Sequence, residues 1–489
     1  MKRRKLKTTA LILILLICCP FLLVGCQAEM ATLNSYNIKA DYNELDKTLS
    51  CEQSVTYFNR SDNILNEVCF FLYANAYGEG QKTISTAYYD KAYPNRASYG
   101  DIEFEQILIC DRQVEFSVSE NKNILTVFLS EDLFPDESVT IEMDYNIQLA
   151  NINHRLGYGD SAVNFGNFFP IACVYQDGFV KNEFTPNGDP FYSEVSNFEV
   201  EISCMEDFVV ATTGDKIEKI ENGRKIISCS AQNVRDFCFV ISTKFKVISQ
   251  KVDGVDVNYY YYDDPNAEEH LQTAVNALQT FQNAFGKYPY KQLSVVETNF
   301  CFGGMEYPNL VMINDQITDN STYNYVIVHE IAHQWWYGMV GNNQFTDAWI
   351  DEGLTEFSTA LFFEKNSQYG FEYETVMINA AETYQNFVRV FEKINGSVDE
   401  SMTRNLTEFS TEPEYVNCIY TKGMLLFDAL RRSMSEKKFF NCLKSYFEQY
   451  KFKNSSGERL IESFSKTSHR SLDKFFEAWL NGTVLIGTE

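Results

Sequence analysis

Histidine is scarce in this chain, with five among 489 residues, and basic residues are outnumbered: 41 Lys and Arg stand against 67 Asp and Glu, a formal net charge of -26. An acidic balance of this size excludes nucleic acid as a partner, because a phosphate backbone demands a basic face. Long uncharged apolar runs are missing too. The one such stretch, Leu11 to Val24, is too short to cross a bilayer as a lone helix, which excludes a multi-spanning membrane protein. The ten cysteines from Cys51 to Cys442 contain no CxxC pair, so neither a zinc knuckle nor a dithiol redox motif is present. Most of them read as small buried hydrophobes, with no particular disulfide expected. No internal repeat and no low-complexity tract occurs. What the chain has in quantity is apolar surface, 45% hydrophobic and 15% aromatic residues, enough to exclude disorder and, at this length, to build two to four domains.

The N-terminus carries its own signal. Lys2, Arg3, Arg4, Lys5 and Lys7 precede the Leu11 to Val24 run, the charge and hydrophobicity order of a secretory leader. The run closes as Leu23-Val24-Gly25-Cys26, which resembles the bacterial lipobox. That resemblance implies removal of residues 1–25, acylation of Cys26, and a body exported and held at the bacterial cell membrane, facing away from the cytoplasm. Two acyl chains would make the anchor stable where one would not. An ordinary leader in which Cys26 is incidental is the alternative. Five of the 41 basic residues and none of the acidic ones fall in 1–25, so the acidity belongs to the exported part.

Two textures follow. Residues 26–250 read as an antiparallel β domain: Ile124 to Leu129, Val139 to Tyr145, Phe198 to Ile202 and Phe237 to Ser242 are rich in β-branched and aromatic residues, with turn signals such as Asn222-Gly223. One more strand, Val255 to Tyr262, precedes helical spacing from Ala267 to Phe285, stopped by Gly286 and Pro289. After short strands around Leu293 and Leu310, helices dominate from Tyr323 onward, so 251–489 reads as a second, mostly helical domain. The fold class expected is α+β and multidomain.

His329-Glu330-Ile331-Ala332-His333 is an HExxH. On a helix, residues four apart share a face, so both imidazoles can reach one ion while Glu330 points at the water it holds. With five histidines in the chain, chance would produce about 0.004 such motifs. A catalytic zinc needs a third protein ligand and an open position. Glu352 meets that need: it follows His333 after 18 residues, within Trp349-Ile-Asp-Glu-Gly353, on a second helical pattern reaching Phe363.

HExxH-x18-E with the glutamate in an (Asn/Asp)-Glu-Gly triplet resembles the aminopeptidase N-type gluzincins. Phe302-Gly303-Gly304-Met305-Glu306-Tyr307 is similar to that family's Gly-x-Met-Glu-Asn segment, with Tyr307 replacing the usual Asn. The resemblance implies that Gly303, Gly304, Met305 and Glu306 lie along the substrate as an edge strand and that Glu306 grips its free α-amine. Tyr420-Thr-Lys-Gly423 resembles the segment carrying the family's catalytic tyrosine, which makes Tyr420 the candidate for stabilising the oxyanion, with Tyr415 as the alternative. Asp347 matches an acidic position that could orient a ligand histidine, or it could simply cap a helix.

The family implies an N-terminal saddle- or sandwich-like β domain, a thermolysin-like catalytic domain, one zinc ion per chain and peptide substrates with a free N-terminus. The lengths leave no residues for the large C-terminal helical domain of longer relatives, so an open cleft is expected. Three other functions share these motifs: a zinc endopeptidase, an epoxide hydrolase of the leukotriene type, and a non-catalytic binding lipoprotein on the same fold. First-subsite preference is unreadable, and Asp189 lies only in a plausible region for an amine contact from the β domain.

Overall fold

Strict alternation builds the first half. Asn34–Asn43 buries every second residue, Tyr36, Ile38, Ala40 and Tyr42 among them, so one face of the strand is apolar and the other wet. It lies inside an eight-stranded sheet whose spatial order is Asp215–Glu221, Arg224–Val234, Ser196–Met205, Asn34–Asn43, Thr48–Phe58, Ser138–Gln148, Asp101–Ile109 and Arg112–Gln113. The computed structural model describes residues 33–484 and 486; the proposed leader 1–25 and Cys26 lie outside the described residues. No helix among the described residues is long and apolar enough to cross a membrane.

The large sheet is antiparallel except at one place. Asn34–Asn43 and Ser196–Met205 run parallel, because the long connection between them carries the chain back to the starting edge before it pairs. Aromatic rings fasten this sheet to a small one made of Leu156–Tyr158, Val163–Phe165, Phe239–Ser242 and Val209–Thr212. Tyr42 of the large sheet meets Phe165 of the small one edge-on at 5.2 Å, while Tyr36 stacks on Phe198 at 4.7 Å within the first and Phe165 on Phe239 at 4.2 Å within the second.

The second half begins with a five-stranded sheet, ordered Lys246–Val252, Val255–Tyr261, Gln292–Thr298, Leu310–Asn314 and Gly304–Met305. Val255–Tyr261 and Gln292–Thr298 run parallel, so the helix between them, α1 (Ala267–Ala284), is the crossover such a pair requires. Gly304–Met305 is antiparallel to Leu310–Asn314 and leaves its outer side as the sheet's edge. Two long helices follow. In α2 (Asn320–Ala332) the Asp319 side chain caps the N-terminus by accepting from Thr322 N–H, and in α3 (Gln344–Lys365) Asn343 does so for Phe345 N–H. A π-helical turn, Asn417–Thr421, leads into α4 (Lys422–Arg432). Buried Trp335, Trp336 and Trp349 fill the space among these helices, with Phe281 and Phe285 edge-on to Trp335.

Candidate metal centre

The last turn of α2 and the third turn of α3 meet at a point. His329 Nε2 and His333 Nε2 are 3.2 Å apart, and Glu352 Oε2 stands 3.4 Å from the first and 3.2 Å from the second. Three lone-pair atoms at such separations repel unless something positive lies among them. Ligands about 2.0–2.1 Å from a tetrahedral zinc would be about 3.3–3.4 Å apart, which this triangle matches. Glu352 Oε2 is buried and has no hydrogen-bond partner, as an atom reserved for an ion would be. The residues present therefore fit one zinc ion. Burial alone would hold His333 neutral, yet the Glu306 and Glu352 carboxylates push it up to about 9. Burial likewise disfavours the Glu352 anion, but the His333 and His329 imidazoles beside it pull it down to about 2.

The outer ring nitrogens set the orientation of the imidazoles. His333 Nδ1 faces Trp336 O at 3.0 Å and Thr355 Oγ1 at 3.1 Å. His329 Nδ1 faces Glu356 Oε1 at 3.1 Å, and Glu356 in turn accepts from Tyr325 Oη. Asp347 reaches neither imidazole. It sits at a kink in the first turn of α3, at φ -128° and ψ 33°, and accepts from Thr346 Oγ1. Sequence reasoning missed Glu356, although its place one turn beyond Glu352 on the same helix face was the available signal.

Glu330 lies beside the triangle and close under the edge strand. A Cβ on Gly304 would fall 2.5 Å from the Glu330 carboxylate, so only glycine lets the strand approach this closely. Burial pushes Glu330 up to about 8; the two imidazoles oppose the rise, and the neighbouring Glu306 and Glu352 add to it. Tyr420 comes from the π-helical turn, its hydroxyl donating to Glu352 Oε1 at 2.5 Å and its ring stacked on His329 at 6.0 Å. Burial holds its proton on, raising the phenol well above its usual range, and the Glu352 charge reinforces this. Tyr415 packs edge-on against Tyr420 at 5.6 Å.

A cavity of about 280 Å³ opens beside these groups, lined by His329, Glu330, Tyr420, Phe302, Gly303 and Gly304 and, from the β half, by Arg155 and Asp189, which are paired with each other. The candidate substrate segment divides here. Gly303 and Gly304 line the cavity, whereas Met305 is buried with its sulfur 3.0 Å from Arg155 Nε. Glu306 is buried beside the metal centre, its ligand oxygen grouped with His333 and Asp351 and its Oε1 accepting from Gln344 Nε2 at 3.0 Å. Tyr307, the departure from the family pattern, turns inward and donates to Asn167 Oδ1 at 2.5 Å. A Cβ on Gly166 would collide with that ring, so the β domain has made room for it.

The family model described as a peptidase family M1 domain matches residues 269–479. Aminopeptidase N of Lactococcus lactis subsp. lactis is 26% identical over 234 residues, covering 43% of this chain and 26% of that protein. Leukotriene A-4 hydrolase of Xenopus laevis is 25% identical over 307 residues, covering 60% of this chain and 48% of that protein. The chain thus spans between a quarter and a half of the length of these relatives. A crystal structure of an M1 zinc metallopeptidase from Deinococcus radiodurans shares the fold with a TM-score of 0.68 at 15% identity, covering 94% of this chain and 95% of that one.

Proposed function

Because this chain belongs to peptidase family M1, we propose that it is a zinc-dependent aminopeptidase that releases single residues from the N-terminus of peptides. The observation that carries the reading is the convergence of His329, His333 and Glu352 within 3.4 Å of one another, with Glu330 and Tyr420 beside them and Glu306 buried next to His333.

His329, His333 and Glu352 would hold the ion. Zinc bound there supplies a polarised scissile carbonyl and a water whose pKa is lowered to about 7. Glu330, as the carboxylate, takes a proton from the attacking water and passes it to the leaving amine. Tyr420 keeps its own proton and donates a hydrogen bond to the carbonyl oxygen as that oxygen gains charge. Glu306 pairs with the substrate's ammonium, which sets the cut one residue from the end. Gly303 and Gly304 let the substrate backbone lie close to the edge strand.

The test is a panel of fluorogenic aminoacyl amides, free and N-acetylated, with and without chelator. Cleavage of free substrates alone, lost on chelation and restored by zinc, is expected; equal cleavage of blocked substrates would make the protein an endopeptidase. The leader motif supports export and a lipid anchor at Cys26. Labelling with a fatty acid is expected to mark the wild type and leave Cys26→Ala unlabelled.

A further inference from the structure

Glu306 does not stand alone, and its partner lies outside every motif named above. Gln344, the first residue of α3, is almost fully buried and sends its amide nitrogen to two carboxylates at once, 3.0 Å to Glu306 Oε1 and 2.8 Å to Asp351 Oδ2. Asn342 Nδ2 holds the other oxygen of Asp351 at 2.6 Å. The backbone around the glutamine is fixed as well: its N–H donates to Phe191 O at 3.2 Å, and the neighbouring Asn343 accepts from Asn182 Nδ2 at 3.0 Å.

The amide is oriented by its surroundings, since turning it over would set its oxygen against two carboxylate oxygens. In the orientation it takes, Gln344 Oε1 is buried with no donor. Packing alone gives no reason for this, because a buried acceptor left bare is costly. Both N–H groups on carboxylates, and nothing on the oxygen, mark a side chain held for what its nitrogen does. Two carboxylates side by side repel; a donor shared between them allows Glu306 to remain next to Asp351.

We infer that Gln344 is a positioning residue for amine recognition: by bracing Glu306 against Asp351 it holds the Glu306 carboxylate where the substrate's ammonium meets it. The inference rests on the aminopeptidase reading. Its test uses Gln344→Met, which keeps length and removes the donors, alone and combined with Glu306→Gln. Calorimetric binding of a free amino acid amide and of its N-acetyl counterpart to the zinc-free protein is read beside KM and kcat of the zinc-loaded enzyme. The wild type is expected to prefer the free amine. Gln344→Met is expected to lose about ten- to a hundredfold of that preference and to raise KM by a similar factor, the size of a lost hydrogen bond to a charged group, with kcat and zinc content close to wild type. In the Glu306→Gln background the same change is expected to do nothing further. Additive effects, or an unchanged preference, overturn the inference. Should Gln344→Met not fold, Gln344→Glu takes the same readouts, a third carboxylate in place of the donors raising KM further; a KM equal to wild type overturns the inference equally. A wild type that binds both ligands alike sinks the aminopeptidase reading itself, whereas a wild type that discriminates beside a variant that does so equally sinks only the role of Gln344.

Discussion

Glu330 and Glu352 are neighbouring buried carboxylates with opposite behaviour, and the difference lies in what each faces. Glu352 faces two imidazoles, accepts from the Tyr420 phenol and is held ionised; Glu330 has an edge-strand glycine above it and is pushed towards its protonated form. For Glu330→Gln the expected outcome is one zinc per chain by metal analysis and turnover reduced by about a hundred- to ten-thousandfold. Glu356→Gln should act on the metal rather than on the chemistry. Losing the charge behind His329 is expected to weaken zinc binding by about ten- to a hundredfold in chelator competition. The pair separates what was legible in the sequence from what was not. Glu330 sits in a motif whose spacing alone brings it to the site. Glu356 belongs to none, and its role exists because α2 and α3 cross where His329 Nδ1 needs a partner.

At the scale of elements, two glycines set how close α3 and α4 can come. A Cβ on Gly423 would lie 2.7 Å from Gly353 Cα, and one on Gly353 would lie 3.1 Å from Gly423 Cα. This contact seats the π-helical turn that carries Tyr420 over Glu352. Gly423→Ala is therefore expected to cost about 1–3 kcal/mol in denaturant unfolding, the range for overpacking, and to lower kcat as Tyr420 moves away. Near-normal stability and activity would mean that the helices can part without consequence. The Lys-Gly context of Tyr420 was readable in the sequence, but not its reason, because the partner glycine lies 70 residues earlier and on another helix.

For the whole molecule, acidity and burial act together. Burial pushes Asp236 up to about 7, against hydrogen bonds from Phe237 N–H and Asn167, and pushes Glu297 up to about 7 against Tyr262 N–H. A carboxyl whose folded pKa lies above its unfolded value binds more protons in the native state. Stability is then highest below the unfolded pKa and falls as pH rises towards about 7. Self-repulsion from the net charge of -26 adds in the same sense. For the zinc-free protein, Tm is expected to fall by at least a few degrees between pH 5 and pH 8, with part of the loss recovered by salt. A Tm that rises over this range would contradict both causes.

Local chemistry was enough to determine much of this protein. The alternation of Tyr36, Ile38, Ala40 and Tyr42 specifies a half-buried strand wherever it is placed, and HExxH specifies two imidazoles on one helix face through the period of the helix alone. The 18-residue spacing to Glu352 pointed to a third ligand, since a second helix can return over that length. Only the tertiary structure decided that Glu306 is buried next to His333, that Tyr307 fills a space left by Gly166, and that Gln344 stands between Glu306 and Asp351. These arrangements depend on where separate elements cross. A hydrogen bond between Gln344 and Glu306 joins positions 38 residues apart through the packing of a sheet edge against a helix N-terminus, and no periodicity in the sequence encodes it.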